Sequence, residues 1–306
     1  MAEAIAPSRM SDALWRRPNL LVLLLVTPPL LWLGIVYLGS LFALLAQSFF
    51  SIDEFSGLVR YEFTLKTYGE LFRASNFDIL VRTILMASAV TIAAAIVAFP
   101  IAYYAARYAR GPWKAVFYLG VMLPLWSSYL VKVYSWKLIL AKEGILNWIF
   151  ETLNMAWILE AYLAIPLIGG NSLSVSWTGT FLVFLYVWLP FMILPIQASL
   201  ERVPPSMLEA SGDLGARPGQ TLRHVILPLA LPGVIAGSIF TFSLTMGDYI
   251  IPQIVGTSAR MIGQAVYQFQ GTAGNIPLAA AFAVVPILVM GIYLTLAKRA
   301  GAFDAL

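Results

Sequence analysis

The stretch EASGDLGARPGQTLRHVILP, residues 209–228, is rich in charged residues although it lies between two long apolar runs. Two prolines end the first run, and the spacing of Ser206 and Glu209 is that of a helix capping box. Gly215 suits the left-handed position at a helix end, and Pro218 suits the first turn of a following helix. The pattern predicts a short helix, a glycine turn and a second helix. Its apolar face consists of Leu208, Ala210, Leu214, Leu222 and Val225.

The composition of the whole chain is typical of a membrane protein. Of its 306 residues, 60% are hydrophobic and 11% are charged, so polar groups are too few to cover a water-soluble globule. The net charge of +4 comes from basic residues scattered between apolar runs, and these form no face for a nucleic acid. The chain has no cysteine, which excludes disulfides and thiolate sites, and we expect no metal site.

Six stretches are long and apolar enough to cross a bilayer, which takes roughly 20 residues per helix. They lie at about 20–47, 79–106, 113–138, 177–199, 225–247 and 276–297. The predicted fold is therefore all-α and polytopic, with both termini on the same side of the membrane.

The basic residues predict which side that is. Eleven of them fall on the side of the termini, and the connection at 107–114 has three basic residues and no acid. Under the positive-inside rule this side is cytoplasmic. The eleven are Arg9, Arg16, Arg17, Arg107, Arg110, Lys114, Arg202, Arg217, Arg223, Lys298 and Arg299. The loops at 48–78 and 139–176 are then external.

The segment at 147–168 offers an alternative topology. It is apolar enough to suggest a seventh span, which would move residues 209–228 to the outside. Glu151 and Glu160 interrupt it and Pro166 ends it, and a carboxylate at the bilayer centre costs about 2.5–3.5 kcal/mol. The sequence favours a helix lying in the outer interface.

The spacing Glu-Ala-Ser-x3-Gly-x9-Val-x-Leu-Pro, from Glu209 to Pro228, resembles the signature of permease subunits of ATP-binding-cassette (ABC) importers. Ser211 and Val225 replace the Ala and Ile of the family's pattern, and both changes are conservative. In that family this loop is the coupling helix, which sits in a cleft of a cytoplasmic ATPase subunit. The resemblance implies this role for Glu209, Ala210, Ser211, Leu214, Gly215 and Arg217. Periodicity alone is equally consistent with an amphipathic loop on the membrane surface.

Three further stretches are similar to the polyamine-type branch of this family. They are MLPLWSSYLVKVYSW at 122–136, EGILN at 143–147 and SLTMGDYIIPQIVG at 243–256. The resemblance implies a polyamine such as putrescine or spermidine as cargo, while opines, organophosphonates and other small solutes stay open.

The resemblance also implies a domain division and partners. The division is a tail, first span and external loop at 1–78, a type I importer core at 79–297 with the coupling helix near 206–215, and a tail at 298–306. The implied partners are a second permease, as a copy or a paralogue, two ATPase subunits and an external solute-binding protein. This chain has no Gly-x4-Gly-Lys-Ser/Thr phosphate loop, so we expect it to bind no cofactor and a separate ATPase to use the ATP.

Five residues are candidates for the substrate path: Asp248, Tyr249, Trp126, Tyr129 and Lys132. Asp248 follows Gly247 near the outer end of the fifth span, where its carboxylate could attract an amine, and Pro252 is expected to break the backbone there. The alternative is a helix-end carboxylate bonded to nearby backbone or to Tyr249. The aromatic residues could form a cation-binding wall or simply pack, and a lysine argues against a purely cation-attracting surface.

Pro228 and Pro232 are candidate hinge residues because each removes a backbone hydrogen bond beside the coupling loop. Pro190 and Pro195 do the same in the fourth span, although packing irregularity would also explain all four.

Other function classes lack their usual signals. An enzyme would need a nucleophile and base or a metal cluster, but His224 is the only histidine. A gradient-driven secondary transporter often has repeated halves, and no convincing repeat is found. The sequence therefore predicts a multi-pass permease of a bacterial inner membrane, with both termini cytoplasmic.

Overall fold

The computed structural model of the chain describes residues 18–53, 55–166 and 168–299. The predicted N-terminal tail, with Arg16 and Arg17, lies outside these residues, as does the predicted C-terminal tail beyond residue 299.

Almost all regular structure in the described residues is helical. The first helices are α1 (Pro18–Leu31), α2 (Gly39–Gln47), α3 (Lys66–Leu71), α4 (Ala74–Arg107), α5 (Pro112–Trp126), α6 (Tyr129–Ile139), α7 (Ile145–Thr152) and α8 (Ala156–Leu163). They are followed by α9 (Trp177–Glu201), α10 (Pro205–Asp213), α11 (Pro218–Thr221), α12 (Leu227–Gly247), α13 (Ile250–Ile254), α14 (Ile262–Gly271) and α15 (Ile276–Arg299). Two π-helical segments, Trp32–Leu38 and Leu222–Ile226, join α1 to α2 and α11 to α12. A short antiparallel hairpin pairs β1 (Ser51–Ile52) with β2 (Val59–Arg60).

Within the described residues, five helical segments are long and apolar enough to cross a bilayer, and the bent pair α5 and α6 makes a sixth if counted as one span. The five are Asn19–Gln47, Ala74–Arg107, Trp177–Glu201, Pro218–Gly247 and Ile276–Arg299. These segments coincide with the predicted spans and agree with an all-α, six-span fold.

The sequence predicts a spanning helix at about 113–138, and the structure has two helices there instead of one. Helices α5 and α6 meet at 95°, and Ser127 between them has an extended backbone. The Ser127 hydroxyl and the Lys132 ammonium both donate to the carbonyl of Pro124, at 2.9 and 2.7 Å. These side chains satisfy a helix-end acceptor, so the chain can leave the helix without stranding it.

Close contacts between α4, α9 and α12 form the centre of the bundle. Ala94, Ala98 and Ala102 recur at four-residue spacing on α4 and are completely buried. On α12, a Cβ at Gly233 would lie 2.4 Å from the carbonyl oxygen of Pro195, and one at Gly237 would lie 2.8 Å from the sulfur of Met192. Small residues at these positions therefore allow the helix backbones to approach, as is typical of packed membrane helices.

The segment at 147–168 contains no membrane-spanning helix in its described part. It forms the two short helices α7 and α8, separated by Asn154 with a φ of 55°. Neither helix reaches the length of a span, but the prediction of one interfacial helix is wrong, because the left-handed asparagine interrupts it.

The connection at 107–114 lies at the same end of the bundle as the charged loop. The Arg107 guanidinium donates to the carbonyl of Val203 at 2.9 Å, and the ammonium of Lys114 lies 2.9 Å from Glu201. The two connections with most of the predicted cytoplasmic charge are therefore neighbours.

Candidate functional site

The charged loop begins with helix α10, which starts one residue earlier than predicted. Pro204 precedes the helix and Pro205 occupies its first position, where a missing N–H costs nothing. No side chain caps this end, so the predicted capping box of Ser206 and Glu209 is wrong. Prolines rather than a hydrogen-bonded cap define the start of the helix.

The end of α10 confirms the predicted glycine turn. Gly215 has a φ of 76°, and its N–H donates to the carbonyl of Gly212 at 2.8 Å. The N–H of Ala216 donates to the carbonyl of Ser211 at 3.0 Å. These two bonds are the Schellman arrangement of a helix C-terminus. No atom lies within 4 Å of where a Cβ at Gly215 would be, so the turn needs glycine for its backbone conformation alone.

The second helix of the loop starts at Pro218, as predicted. The Gln220 side chain accepts from the N–H of Arg217 at 2.8 Å, and the hydroxyls of Ser211 and Thr221 lie 2.9 Å apart. The second contact joins α10 to α11, and the π-helical segment then leads directly into α12. The glycine turn is therefore joined to a membrane-spanning helix by continuous helical backbone.

Helix α10 presents a mixed apolar and charged surface. Leu214 at its tip is 88% exposed, and Glu209, Ala210 and Arg217 are exposed as well, whereas Ser211 is buried. A cleft of about 310 Å³ beside Leu214 is lined by Met207, Ala210, Ser211, Leu214, Ala216 and Val225. An exposed apolar tip with a charged rim is one kind of surface that fits a groove in a partner protein.

Sequence reasoning missed a polar cluster that holds the base of this loop. Glu201, the last residue of α9, accepts from the Tyr118 hydroxyl at 2.8 Å and pairs with Lys114 at 2.9 Å. Arg107 donates to the carbonyl of Val203 two residues later. The sequence pattern identified Lys114 and Arg107 only as indicators of topology. Their contacts could not be predicted, because the partner residues are about 90 positions away in the sequence.

Asp248 lies at a break between α12 and α13, and both of its carboxylate oxygens accept hydrogen bonds. One oxygen accepts from the N–H groups of Ile250 and Ile251, at 2.7 and 3.2 Å, and the other accepts from the Tyr129 hydroxyl. The break therefore comes before Pro252, which lies inside α13. The alternative of a helix-end carboxylate bonded to backbone is the observed geometry, but its phenol partner is Tyr129.

A cavity of about 380 Å³ opens beside this carboxylate. It is lined by Tyr129, Trp188, Ser243, Leu244, Gly247, Asp248 and Tyr249. The ring of Tyr129 stacks on that of Trp188 with centroids 5.9 Å apart, and Tyr249 stacks on Tyr267 at 4.9 Å. Trp188 was missed because it lies on α9, and no local pattern links it to residues on α6 and α12.

Of the five candidate path residues, Asp248, Tyr129 and Tyr249 line the cavity and two do not. Trp126 ends α5 with most of its surface exposed, and Lys132 donates to the carbonyl of Pro124. The structure therefore joins the carboxylate to two of the predicted aromatic residues and gives Lys132 a contact at the bend.

The candidate hinge prolines lie next to the loop. Pro228 is the second residue of α12, directly after the π-helical segment, where the wider helical turn accommodates the proline ring. Pro232 lies one turn later and lines a cavity of about 400 Å³ that also contacts Pro204 and Met207. The hinge role stays a prediction.

Comparisons with known proteins match this architecture to one family. Residues 98–301 match the family described as "Binding-protein-dependent transport system inner membrane component". The chain belongs to this family. It is also 56% identical over 298 residues to the "Inner membrane ABC transporter permease protein YdcU" of Escherichia coli K12, covering 97% of this chain and 95% of that protein. The chain is thus an ABC importer permease of the inner membrane.

The chain is also similar to a more distant relative and to a solved structure. The chain is 28% identical to the "Spermidine/putrescine transport system permease protein PotB" of Escherichia coli K12, covering 88% of this chain and 94% of that protein. Among solved structures, a chain of a bacterial alginate ABC transporter in complex with its alginate-bound periplasmic protein matches with a TM-score of 0.68 at 13% identity, covering 96% of this chain and 97% of that one. At that identity the likeness supports the fold alone.

Proposed function

We propose that this permease forms the path for a polyamine, which an external solute-binding protein delivers. The carboxylate of Asp248 beside an aromatic cavity is the observation that carries the proposal. Similarity to PotB supports this class of cargo, whereas the printed name of YdcU specifies none. The proposal rests on the chemistry of the cavity together with this family relationship.

The cavity offers two kinds of contact to an ammonium group. Asp248 supplies a negative charge, and the stacked rings of Tyr129 and Trp188 supply π faces that attract cations. The Tyr129 hydroxyl donates to the same carboxylate, so an arriving ammonium would replace or share that donor. Such a site binds weakly enough to release its cargo, because the carboxylate never lacks a competing donor.

We also propose that α10 docks on the ATPase subunit. Leu214 would enter a groove of the partner, with Glu209 and Arg217 at the rim. Closure of the ATPase pair would then move α10, and the rigid Gly215 turn and α11 would pass that displacement to α12. Because α12 ends at Gly247 beside Asp248, the motion would reach the cavity. Pro228 and Pro232 would absorb the change in helix direction.

The proposed assembly has this chain and a second permease enclosing the path, with two ATPase subunits on the cytoplasmic side using the ATP. Both termini and the 209–228 loop would be cytoplasmic. We propose that the chain is divided into a tail, first span and external loop at 1–78, an importer core at 79–297 and a tail at 298–306.

The test is uptake into proteoliposomes that contain the whole transporter and its binding protein. Asp248→Asn should lower ATP-driven putrescine uptake at least several-fold, because the neutral amide keeps the shape but loses the attraction for ammonium. Asp78→Asn is the matched control, since Asp78 pairs with Arg82 on α4 and does not line the cavity. Uptake by D248N equal to that of the control would contradict the role of Asp248. A binding protein that ignores polyamines but binds an opine or a phosphonate in calorimetry would contradict the cargo.

A further inference from the structure

Helix α14 lies directly against the backbone of the break that contains Asp248. A Cβ at Gly263, the second residue of α14, would lie 2.6 Å from the carbonyl oxygen of Asp248 and 2.8 Å from that of Gly247. Non-bonded heavy atoms in favourable contact are about 3.5–4.0 Å apart, so no side chain fits between the helix and the break. The proposed transport path leaves this close approach unexplained.

The start of α14 is fixed by a side chain of α4. The hydroxyl of Thr83 accepts from the N–H of Ile262 at 3.0 Å and donates to the carbonyl of Ile79 in its own helix at 2.7 Å. Thr83 is completely buried, as are Met261 and Ile262 at the start of α14. A distant threonine thus satisfies a backbone donor that the first turn of a helix cannot pair internally. Helix α14 cannot move away from the break without leaving this buried donor unpaired.

The segment that follows the break is held from another helix. The hydroxyl of Thr180, on α9, donates to the carbonyl of Val255 at 2.9 Å, and both residues are buried. Between α12 and α13, Asp248 and Tyr249 lie outside regular helix. They are therefore the part of the backbone that yields most easily, and a group inserted at residue 263 would displace the break rather than α14.

The carboxylate of Asp248 keeps its contacts only while its backbone stays in place. One oxygen accepts from the N–H groups of Ile250 and Ile251, at 2.7 and 3.2 Å, and the other accepts from the Tyr129 hydroxyl. An aspartate has only two side-chain torsions with which to follow a movement of its own peptide. Making room for a methyl group takes about 1 Å, which is enough to lengthen a 2.7 Å hydrogen bond beyond the usual range.

We propose that Gly263 is a positioning residue for the cargo site. Its missing side chain lets α14, held by Thr83, lie against the break and keep the carboxylate of Asp248 beside the aromatic cavity. The inference rests on the proposed role of Asp248 in the path of an organic cation. Gly263 itself is not among the described residues that line the cavity, so its effect on cargo passes through Asp248.

A double-mutant cycle in proteoliposomes with the whole transporter and its binding protein tests the proposal. We expect Gly263→Ala to lower ATP-driven putrescine uptake several-fold. In the Asp248→Asn background the same substitution should change uptake by less than about twofold, because the carboxylate that it displaces is already gone. Gly271→Ala is the matched control on α14, since no atom lies within 4 Å of the added Cβ, and its uptake should equal that of the native chain.

A second pair of variants separates positioning from folding, and it decides the question if Gly263→Ala does not insert. Thr83→Val keeps the shape of the side chain but removes the oxygen that accepts from Ile262, whereas Thr83→Ser keeps that oxygen. We expect the valine variant to lose uptake several-fold and the serine variant to keep most of it. As for Gly263, the loss should be small when Asp248 is already Asn.

Three results would overturn the proposal. The first is native uptake by Gly263→Ala, and the second is an equal fold loss in the native and Asp248→Asn backgrounds, which would make the glycine a general packing residue. The third is an equal loss in Thr83→Ser and Thr83→Val. Native uptake by Asp248→Asn alone would instead contradict the proposed function, and this inference with it, so the two failures are told apart.

Discussion

A single glycine sets the angle between the proposed coupling helix α10 and the helix α11 that follows it. Gly215 has a left-handed backbone and open space around its Cα, so a substitution there acts only through φ. Valine at this position costs about 1–2 kcal/mol, because β-branched residues resist positive φ. We expect Gly215→Val to insert normally but to lower uptake per ATP hydrolysed, measured in proteoliposomes.

Asparagine is the matched control, because it tolerates the left-handed region. Gly215→Asn should keep most of the coupling that the valine variant loses. Wild-type coupling in Gly215→Val, or equal loss in both variants, would show that the turn geometry is not what transmits the motion.

Lys132 illustrates how a side chain with an obvious charge takes a local role. Its ammonium donates to the carbonyl of Pro124, which the 95° bend between α5 and α6 leaves without a helical donor. The lysine therefore stabilises the bend that positions Tyr129 at the start of α6, facing Asp248. We therefore expect Lys132 to influence the substrate path only indirectly, by positioning Tyr129.

Helix α9 is connected to α5 just before the coupling helix begins. Glu201 accepts a hydrogen bond from Tyr118 and forms an ion pair with Lys114, and both partners are on α5. The two helices therefore share a polar contact at the base of the loop. Exposed ion pairs of this kind contribute about 0–1 kcal/mol, so we expect little change in stability when it is broken. The expected loss is in coupling, since α10 would be held less firmly.

Glu201→Lys should therefore lower the number of substrate molecules moved per ATP, with little effect on membrane insertion or Tm. The double variant Lys114→Glu with Glu201→Lys restores opposite charges and should recover most of that ratio. Failure of the swap to recover it, with both proteins inserted, would mean that the pair does not position the loop.

The arrangement of the chain across the membrane follows from how the loops are grouped. The connection at 107–114 and the 209–228 loop share one end of the bundle, and most of the predicted cytoplasmic charge lies there. We expect Asp213→Cys to be protected from a membrane-impermeant thiol reagent in intact cells and to react in inverted vesicles. Glu160→Cys, on α8, should react from outside. Labelling of residue 213 from outside would refute the six-span topology.

Features that depend on short-range constraints could be predicted from the sequence. The length of each apolar run sets the number and positions of the spans, because a helix must satisfy its backbone within the bilayer. The glycine turn and the start of α11 at Pro218 were predictable because positive φ and a missing N–H are local constraints. The capping box predicted at Ser206 is wrong for a reason that is also local, since Pro205 already fills the first helical position.

Which residues on different helices meet depends on how the helices pack against one another. The bend at Ser127 depends on Lys132 reaching back to Pro124, and the cavity depends on Trp188, Tyr129 and Asp248 arriving from α9, α6 and the end of α12. Glu201 gains its partners from α5 in the same way. Periodicity cannot reveal such contacts, because it records which face of a helix is apolar but not which helix lies opposite. That choice is made by close packing, where the glycines of α12 admit the backbone of α9 and bring these side chains together.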